Sequence, residues 1–241
     1  MRKAQLNDYK YTFILLGVVI TGFFVVFAVL ANDVPKHPVQ ATENRKIKVA
    51  AVGDSNTFGA GVAADNYEKN TYPSQLQTLL GSKYDVFNYG VSGTTLINDS
   101  DAPYVRTDYY TKSQTINPDI VLIMLGTNDS TSLRWNSIKY EQDLLAMINT
   151  YKHLTSKPQV YLLTVPFAYI NGNEALPTDI NGDTISNQVV PIIKRVAQHS
   201  NTRVIDVYSV TKNHQELFPD KIHANAEGYG IIATQVYKEL K

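Results

Sequence analysis

From residue 47 onward the sequence alternates short apolar runs with longer amphipathic stretches, and this alternation restricts its fold more than any other feature. The runs are IKVAAVG (47–53), YDVFNYG (84–90), DIVLIMLG (119–126), QVYLLTVP (159–166) and TRVIDVY (202–208). Helical patterns lie between and after them, around 73–80, 104–116, 137–154, 187–199 and 225–240. Strands that are apolar on both faces and alternate with helices predict a parallel sheet covered on both sides. The expected domain, 47–241, is therefore a three-layer α/β/α sandwich around a five-stranded parallel sheet.

In such a sheet, ligands bind in the crevice beyond the carboxyl ends of the strands. Polar, turn-rich segments fall at those places: GDSNTFG (53–59) after the first run, NYGVSGTT (88–95) after the second and GTNDS (126–130) after the third. A fourth, FPDKIHANAEG (218–228), precedes the last helical pattern. The first of these brings Ser55 to the edge of the sheet and turns at once.

A serine hydroxyl becomes a useful nucleophile when a neighbouring base takes its proton and a third group orients that base. Of the five histidines, His37 lies in a polar segment, His153 and His199 near helix ends and His214 in a polar loop, and these read as solvated or capping residues. His223 differs, because Asp220 stands three residues before it and can reach back to one imidazole nitrogen while the other faces outward. Acyl transfer also needs donors aimed at a developing oxyanion. Gly93 offers a backbone N–H in a loop whose dihedrals glycine tolerates, and Asn128 offers a side-chain amide. Asp54 and Asp129 read as turn-forming residues; Thr94, Thr95 and Ser130 read as mainly structural.

GDSNTFG, NYGVSG, GTND and DKIH match, in order, the four sequence blocks of the GDSL esterase/lipase family, also called SGNH hydrolases, and the resemblance covers 47–241. It implies a flavodoxin-like sheet, with Ser55 as nucleophile and His223 as general base oriented by Asp220. It further implies an oxyanion hole from the Ser55 N–H, the Gly93 N–H and the Asn128 side chain. The PDKIHANAEGY ending is similar to that of carbohydrate O-acetylesterases; Ala224 stands where many relatives carry proline. The resemblance implies hydrolysis of short acyl esters, above all acetyl, on a carbohydrate, with no metal or organic cofactor. The same residues would also serve an O-acyltransferase of cell-surface glycans, a lipase or thioesterase for longer chains, or a silent binding module that keeps the fold.

Other chemistries fit poorly. A classical α/β-hydrolase needs Gly-x-Ser-x-Gly at its nucleophile, and GVSG (90–93) has the wrong spacing. No Gly-x-x-x-x-Gly-Lys-Ser/Thr loop is present, and too few histidines remain near the strand ends for metal-dependent hydrolysis. The chain has no cysteine, which excludes thiol nucleophiles, and a net formal charge of zero, so nothing global points to nucleic acid.

Ahead of the domain, Tyr11 to Asn32 contains no charged residue, and its 22 residues suffice to cross ~30 Å of hydrocarbon as a helix. Arg2, Lys3 and Lys10 against Asp8 favour a cytoplasmic N-terminus, a membrane anchor over 1–31 and an extracytoplasmic domain. Cleavage near Ala31, in VLAN, is the alternative and would give a secreted protein. The polar segment 32–46, with two prolines, reads as a linker. Tyr104, Tyr109, Tyr110 and Trp135, in connections after strands, are candidates to line the substrate pocket.

Overall fold

The computed structural model describes residues 45–63, 66–170, 176 and 179–241. The charge-free stretch 11–32, most of the linker and His37 lie outside the described residues. Among the described residues, no helix is long and apolar enough to cross a membrane.

The five strands are β1 (Ile47–Gly53), β2 (Tyr84–Gly90), β3 (Ile120–Met124), β4 (Gln159–Leu163) and β5 (Arg203–Ile205). They form one parallel sheet in the order β2-β1-β3-β4-β5. β1 lies inside the sheet with both faces covered, and Val49, Ala50, Ala51 and Val52 are fully buried. This explains its unbroken apolar run, since no position on such a strand meets water. The chain pairs β2 on one side of β1, then crosses to the other side to lay down β3. The strand order thus reverses between β1 and β3, and a crevice opens beyond their carboxyl ends.

The helices that matter for the site are α1 (Ser55–Phe58), α2 (Tyr72–Leu80), α3 (Asp108–Thr115), α4 (Ser137–Lys152), α5 (Val190–His199) and α6 (Ala226–Leu240). Local chemistry sets where they start. Thr71, Thr107, Asn136 and Asn225 each cap a helix by accepting a hydrogen bond from a first-turn amide, which satisfies donors that the helix itself cannot. α2 and α6 pack together on one face of the sheet, and α3, α4 and α5 cover the other.

β1 and β2 have the limits the sequence predicts, while the later strands are shorter. β5 ends at Ile205 because the Asp206 carboxylate accepts from Ser209 N at 3.1 Å and starts a short helix, Val207–Thr211. The expected helix 104–116 is divided into a single turn, Tyr104–Arg106, and α3 by the extended backbone of Thr107. The linker boundary holds a further detail: the Arg45 guanidinium makes a two-pronged contact with Asp119 at 2.9 and 2.7 Å, so the last linker residues are bonded to the sheet.

Candidate active site

Gly53 ends β1, and the chain turns immediately into α1 with Asp54 as its cap. The buried Asp54 carboxylate accepts from Asn56 N at 2.9 Å. A side chain at Gly53 would lie 2.4 Å from Met124 O and 2.2 Å from Thr57 Oγ1. The first turn of α1 can therefore sit directly on the ends of β1 and β3 only because residue 53 is glycine. Gly90, at the end of β2, has the same role: a Cβ there would lie 2.0 Å from Phe58 N. These two strand-end glycines are the seats on which the turn carrying Ser55 rests.

Ser55 is almost fully buried, and its Oγ lies 2.8 Å from His223 Nε2. His223 Nδ1 lies 2.6 Å from Asp220 Oδ2. The other carboxylate oxygen, Asp220 Oδ1, accepts from Ile222 N at 2.9 Å and His223 N at 2.6 Å. An ionised carboxylate only accepts, so Nδ1 carries the proton and Nε2 is the acceptor facing Ser55. Burial pushes the Asp220 carboxyl up, but the hydrogen bonds from the His223 amide and ring and from Ile222 outweigh it and hold its pKa below the ordinary value. The short Asp220-to-His223 loop thus aligns both residues over a serine 168 positions earlier in the chain.

Gly93 adopts φ +79°, in the left-handed region that favours glycine. Asn128 donates from Nδ2 to Thr94 O at 2.9 Å, which uses one amide hydrogen and leaves the second free. Ser55, Gly93, Asn128 and His223 line one cleft of about 440 Å³, and among the described residues Ala60, Ser92, Ile170, Asp179, Ile180 and Ile222 also line it. Of the five residues expected in the triad and the oxyanion hole, Ser55, Gly93, Asn128 and His223 therefore line one cleft, and Asp220 stands behind His223.

The two buried aspartates fix the surrounding loops. Asp129 accepts from Leu96 N at 3.0 Å and Ile97 N at 2.9 Å, so it ties the loop after β3 to the loop after β2 rather than closing its own turn. Burial pushes its carboxyl up to about 7 and that of Asp54 up to about 6, against the hydrogen bonds each receives. Thr94 and Ser130 also bond to backbone: Thr94 Oγ1 donates to Val91 O, and Ser130 Oγ donates to Thr127 O and accepts from Asn181 N. Thr95 is fully buried and bonds within its loop.

The aromatic expectation is corrected. None of Tyr104, Tyr109, Tyr110 and Trp135 lines the cleft at Ser55. Tyr104 is fully buried with its hydroxyl on Tyr89 O at 2.7 Å, and Tyr110 packs edge-on between Tyr104 and Tyr151. Tyr109 is exposed beside Tyr89, and Trp135 lines a separate cleft. Those rings follow strands in sequence, but Tyr104 sits in the single turn before Thr107, Tyr109 and Tyr110 on α3 and Trp135 just ahead of α4, and none of these places faces Ser55. The residues that do form the wall, Ile170, Asp179 and Ile180, come from the connection after β4, where no motif marks them. His153 bonds Asn149 O at the end of α4 and His214 faces Glu216, so neither approaches Ser55.

The model of the GDSL-like lipase/acylhydrolase family matches residues 51–231. The chain belongs to this family. Among curated proteins, this family member is 31% identical over 221 residues to an acetylxylan esterase of Xylanibacter ruminicola, covering 84% of this chain and 45% of that protein. It is 26% identical over 230 residues to a multidomain esterase of Ruminococcus flavefaciens, covering 81% of this chain and 28% of that one. The chain thus spans less than half the length of these relatives. Among solved structures, a catalytic mutant of an acetylxylan esterase from Geobacillus stearothermophilus superposes with a TM-score of 0.62 at 22% identity, covering 81% of this chain and 94% of that one. A carbohydrate acetylesterase family member from Sinorhizobium meliloti gives a TM-score of 0.62 at 20% identity, covering 80% and 97%. At these identities the likeness speaks for the fold, and the parallel five-stranded α/β arrangement is that of the SGNH hydrolases.

Proposed function

We propose that this GDSL-family chain is a serine esterase that removes short acyl groups, above all acetyl, from a carbohydrate. The observation that carries the reading is the hydrogen-bonded line from Ser55 Oγ through His223 to Asp220. Ser55 Oγ attacks the ester carbonyl while His223 Nε2 takes its proton, and Asp220 stabilises the imidazolium that forms. The tetrahedral oxyanion is held by the Ser55 N–H, the Gly93 N–H and the free Asn128 amide hydrogen. The imidazolium then protonates the departing sugar oxygen, which leaves as the free hydroxyl. Water, deprotonated by the same nitrogen, clears the acyl-enzyme. The apolar side chains of Ala60, Ile170, Ile180 and Ile222 give the acyl group a place beside the nucleophile. An acetylxylan esterase among the relatives supports a sugar-bound acetyl as the acyl group that is removed. The charge-free stretch Tyr11–Asn32 supports an extracytoplasmic domain held at a cell membrane.

The test is hydrolysis of p-nitrophenyl acetate, butyrate and octanoate by the full chain in mild detergent, beside Ser55→Ala. Serine-dependent turnover that falls steeply beyond acetate is expected. Turnover undiminished in Ser55→Ala refutes the assignment of the nucleophile, and turnover rising with chain length refutes the short-acyl preference.

A further inference from the structure

A second cleft, of about 520 Å³, lies beside the one that holds Ser55. Its walls come from the same two loops. Ser92 and Gly93 of the loop after β2 line the first cleft, and Ile97, Asp99 and Asp101 further along that loop line the second. Asn128 of the loop after β3 lines the first, and Leu133, Arg134 and Trp135 line the second. The two loops are bonded together between the clefts by Asp129, whose carboxylate holds the Leu96 and Ile97 amides. Arg134 Nη1 approaches Asn128 O at 3.5 Å, so one guanidinium spans the wall.

The lining has a definite chemical character. Leu133 is 71% exposed, although an aliphatic side chain gains from burial. Trp135 packs against Tyr140 with ring centroids 5.3 Å apart and donates from Nε1 to Gln188 Oε1 at 2.7 Å, which sets its ring in one orientation. Each cation in the cleft is matched by an anion: Arg134 pairs with Asp101 through two contacts of 2.7 Å, and Lys139 pairs with Asp99. The cleft therefore offers N–H donors and carboxylate acceptors together, with no net charge, beside an indole and an isobutyl group. An anionic chain would have to displace an aspartate to reach either cation. A neutral polyol with apolar C–H faces meets both kinds of group at no electrostatic cost.

We propose that this cleft is a chain-binding subsite for a neutral pyranose polysaccharide, seating sugar units next to the acylated one. The inference rests on the carbohydrate-esterase reading for its purpose. It makes the substrate a polymer rather than a free acetylated sugar. Trp135 supplies a planar face for a sugar ring, Leu133 covers the neighbouring unit, and the paired charges receive hydroxyls.

Trp135 is the only tryptophan of the chain, so its fluorescence reports on this cleft alone. The experiment titrates the full chain with unacetylated xylohexaose and cellohexaose, which carry no ester and are not turned over. The expected result is a saturable change in tryptophan emission. Leu133→Asp, a substitution at an exposed position, should weaken the apparent affinity about tenfold, the scale of one lost apolar contact. No saturable change with either chain, or a change of unaltered affinity in Leu133→Asp, overturns the proposal. So does tighter binding of hexagalacturonate, an anionic chain of equal length. On acetylated xylan, Leu133→Asp should raise KM while hydrolysis of p-nitrophenyl acetate stays within about twofold, because that ester needs no subsite. Loss of both activities together would mark a structural effect and also overturn it. Failure of the serine-esterase reading appears separately, as ester turnover that survives Ser55→Ala, and does not affect the fluorescence titration.

Discussion

Replacement of Asp220 by asparagine isolates the part of the site that depends on proton position. Asp220 Oδ1 takes two amide hydrogens, from Ile222 at 2.9 Å and His223 at 2.6 Å, while Oδ2 takes the imidazole Nδ1 at 2.6 Å. An asparagine has one oxygen, and an amide NH2 group cannot accept from a backbone N–H. The oxygen must stay on the amide side, which turns the NH2 group toward His223 Nδ1. That nitrogen then has to accept, so the ring proton moves to Nε2 and points at Ser55 Oγ, 2.8 Å away. The loop keeps its shape while His223 loses its lone pair toward Ser55. A carboxylate-to-amide change in this role lowers kcat by about 10⁴, and Asp220→Asn should lose on the order of 10³–10⁴ in kcat/KM toward p-nitrophenyl acetate. Stability should change by less than ~0.5 kcal/mol, because both amide bonds survive. Asp220→Ala loses those bonds too and should cost about 1 kcal/mol in denaturant unfolding, a small figure because the carboxylate is half exposed. An Asp220→Asn variant that keeps more than about a tenth of wild-type activity would refute the tautomer argument.

Two further outcomes follow from the buried ends of β1 and β2. Gly90→Ala would place its methyl 2.0 Å from Phe58 N and 2.6 Å from Phe58 Cα; these are backbone atoms of α1, so the variant should lose roughly 1–3 kcal/mol as other overpacked sites do. Its activity should fall further than the unfolded fraction explains, and an unchanged melting temperature with full activity would count against the seating role of Gly90. Asp54, raised by burial from 3.8 to about 6, binds a proton more tightly folded than unfolded. Its contribution is therefore fully present below about pH 4 and is lost as pH rises through 6. The wild-type urea midpoint should fall over that range, Asp129 should extend the fall toward pH 7, and Asp54→Asn should show a shallower slope. An identical slope in the variant would remove Asp54 from the account.

Much of the site is legible in the sequence because its chemistry sits at strand ends, and buried parallel strands are the plainest elements to read. β1 and β2 end where their apolar runs end, so Ser55 and Gly93 could be placed beside the sheet edge without coordinates. The Asp220–His223 pair is a local feature whose contact follows from a spacing of three. Less was legible where position depended on the path of a whole connection. Tyr104 and Tyr110 both follow β2 in sequence, yet Tyr104 is fully buried and Tyr110 packs half-buried against the core. Ile170, Asp179 and Ile180 line the cleft although their segment carries no periodicity or motif.

The sequence alone determined what is local: which runs are buried on both faces, which side chains cap helices, and which residue types could activate a serine. These depend on hydrophobic period and hydrogen-bonding groups a few residues apart. Only the tertiary structure decided which side of β1 each later strand joined, and hence that the loops after β1, β2 and β3 meet at one crevice. It alone set the 2.8 Å contact between Ser55 and His223, the union of two loops through Asp129, and the second cleft with its paired charges. Those contacts join residues from about 30 to 168 positions apart. No local pattern encodes a distance across that much chain, because it is the packing of the entire sheet and its two helical layers that closes it.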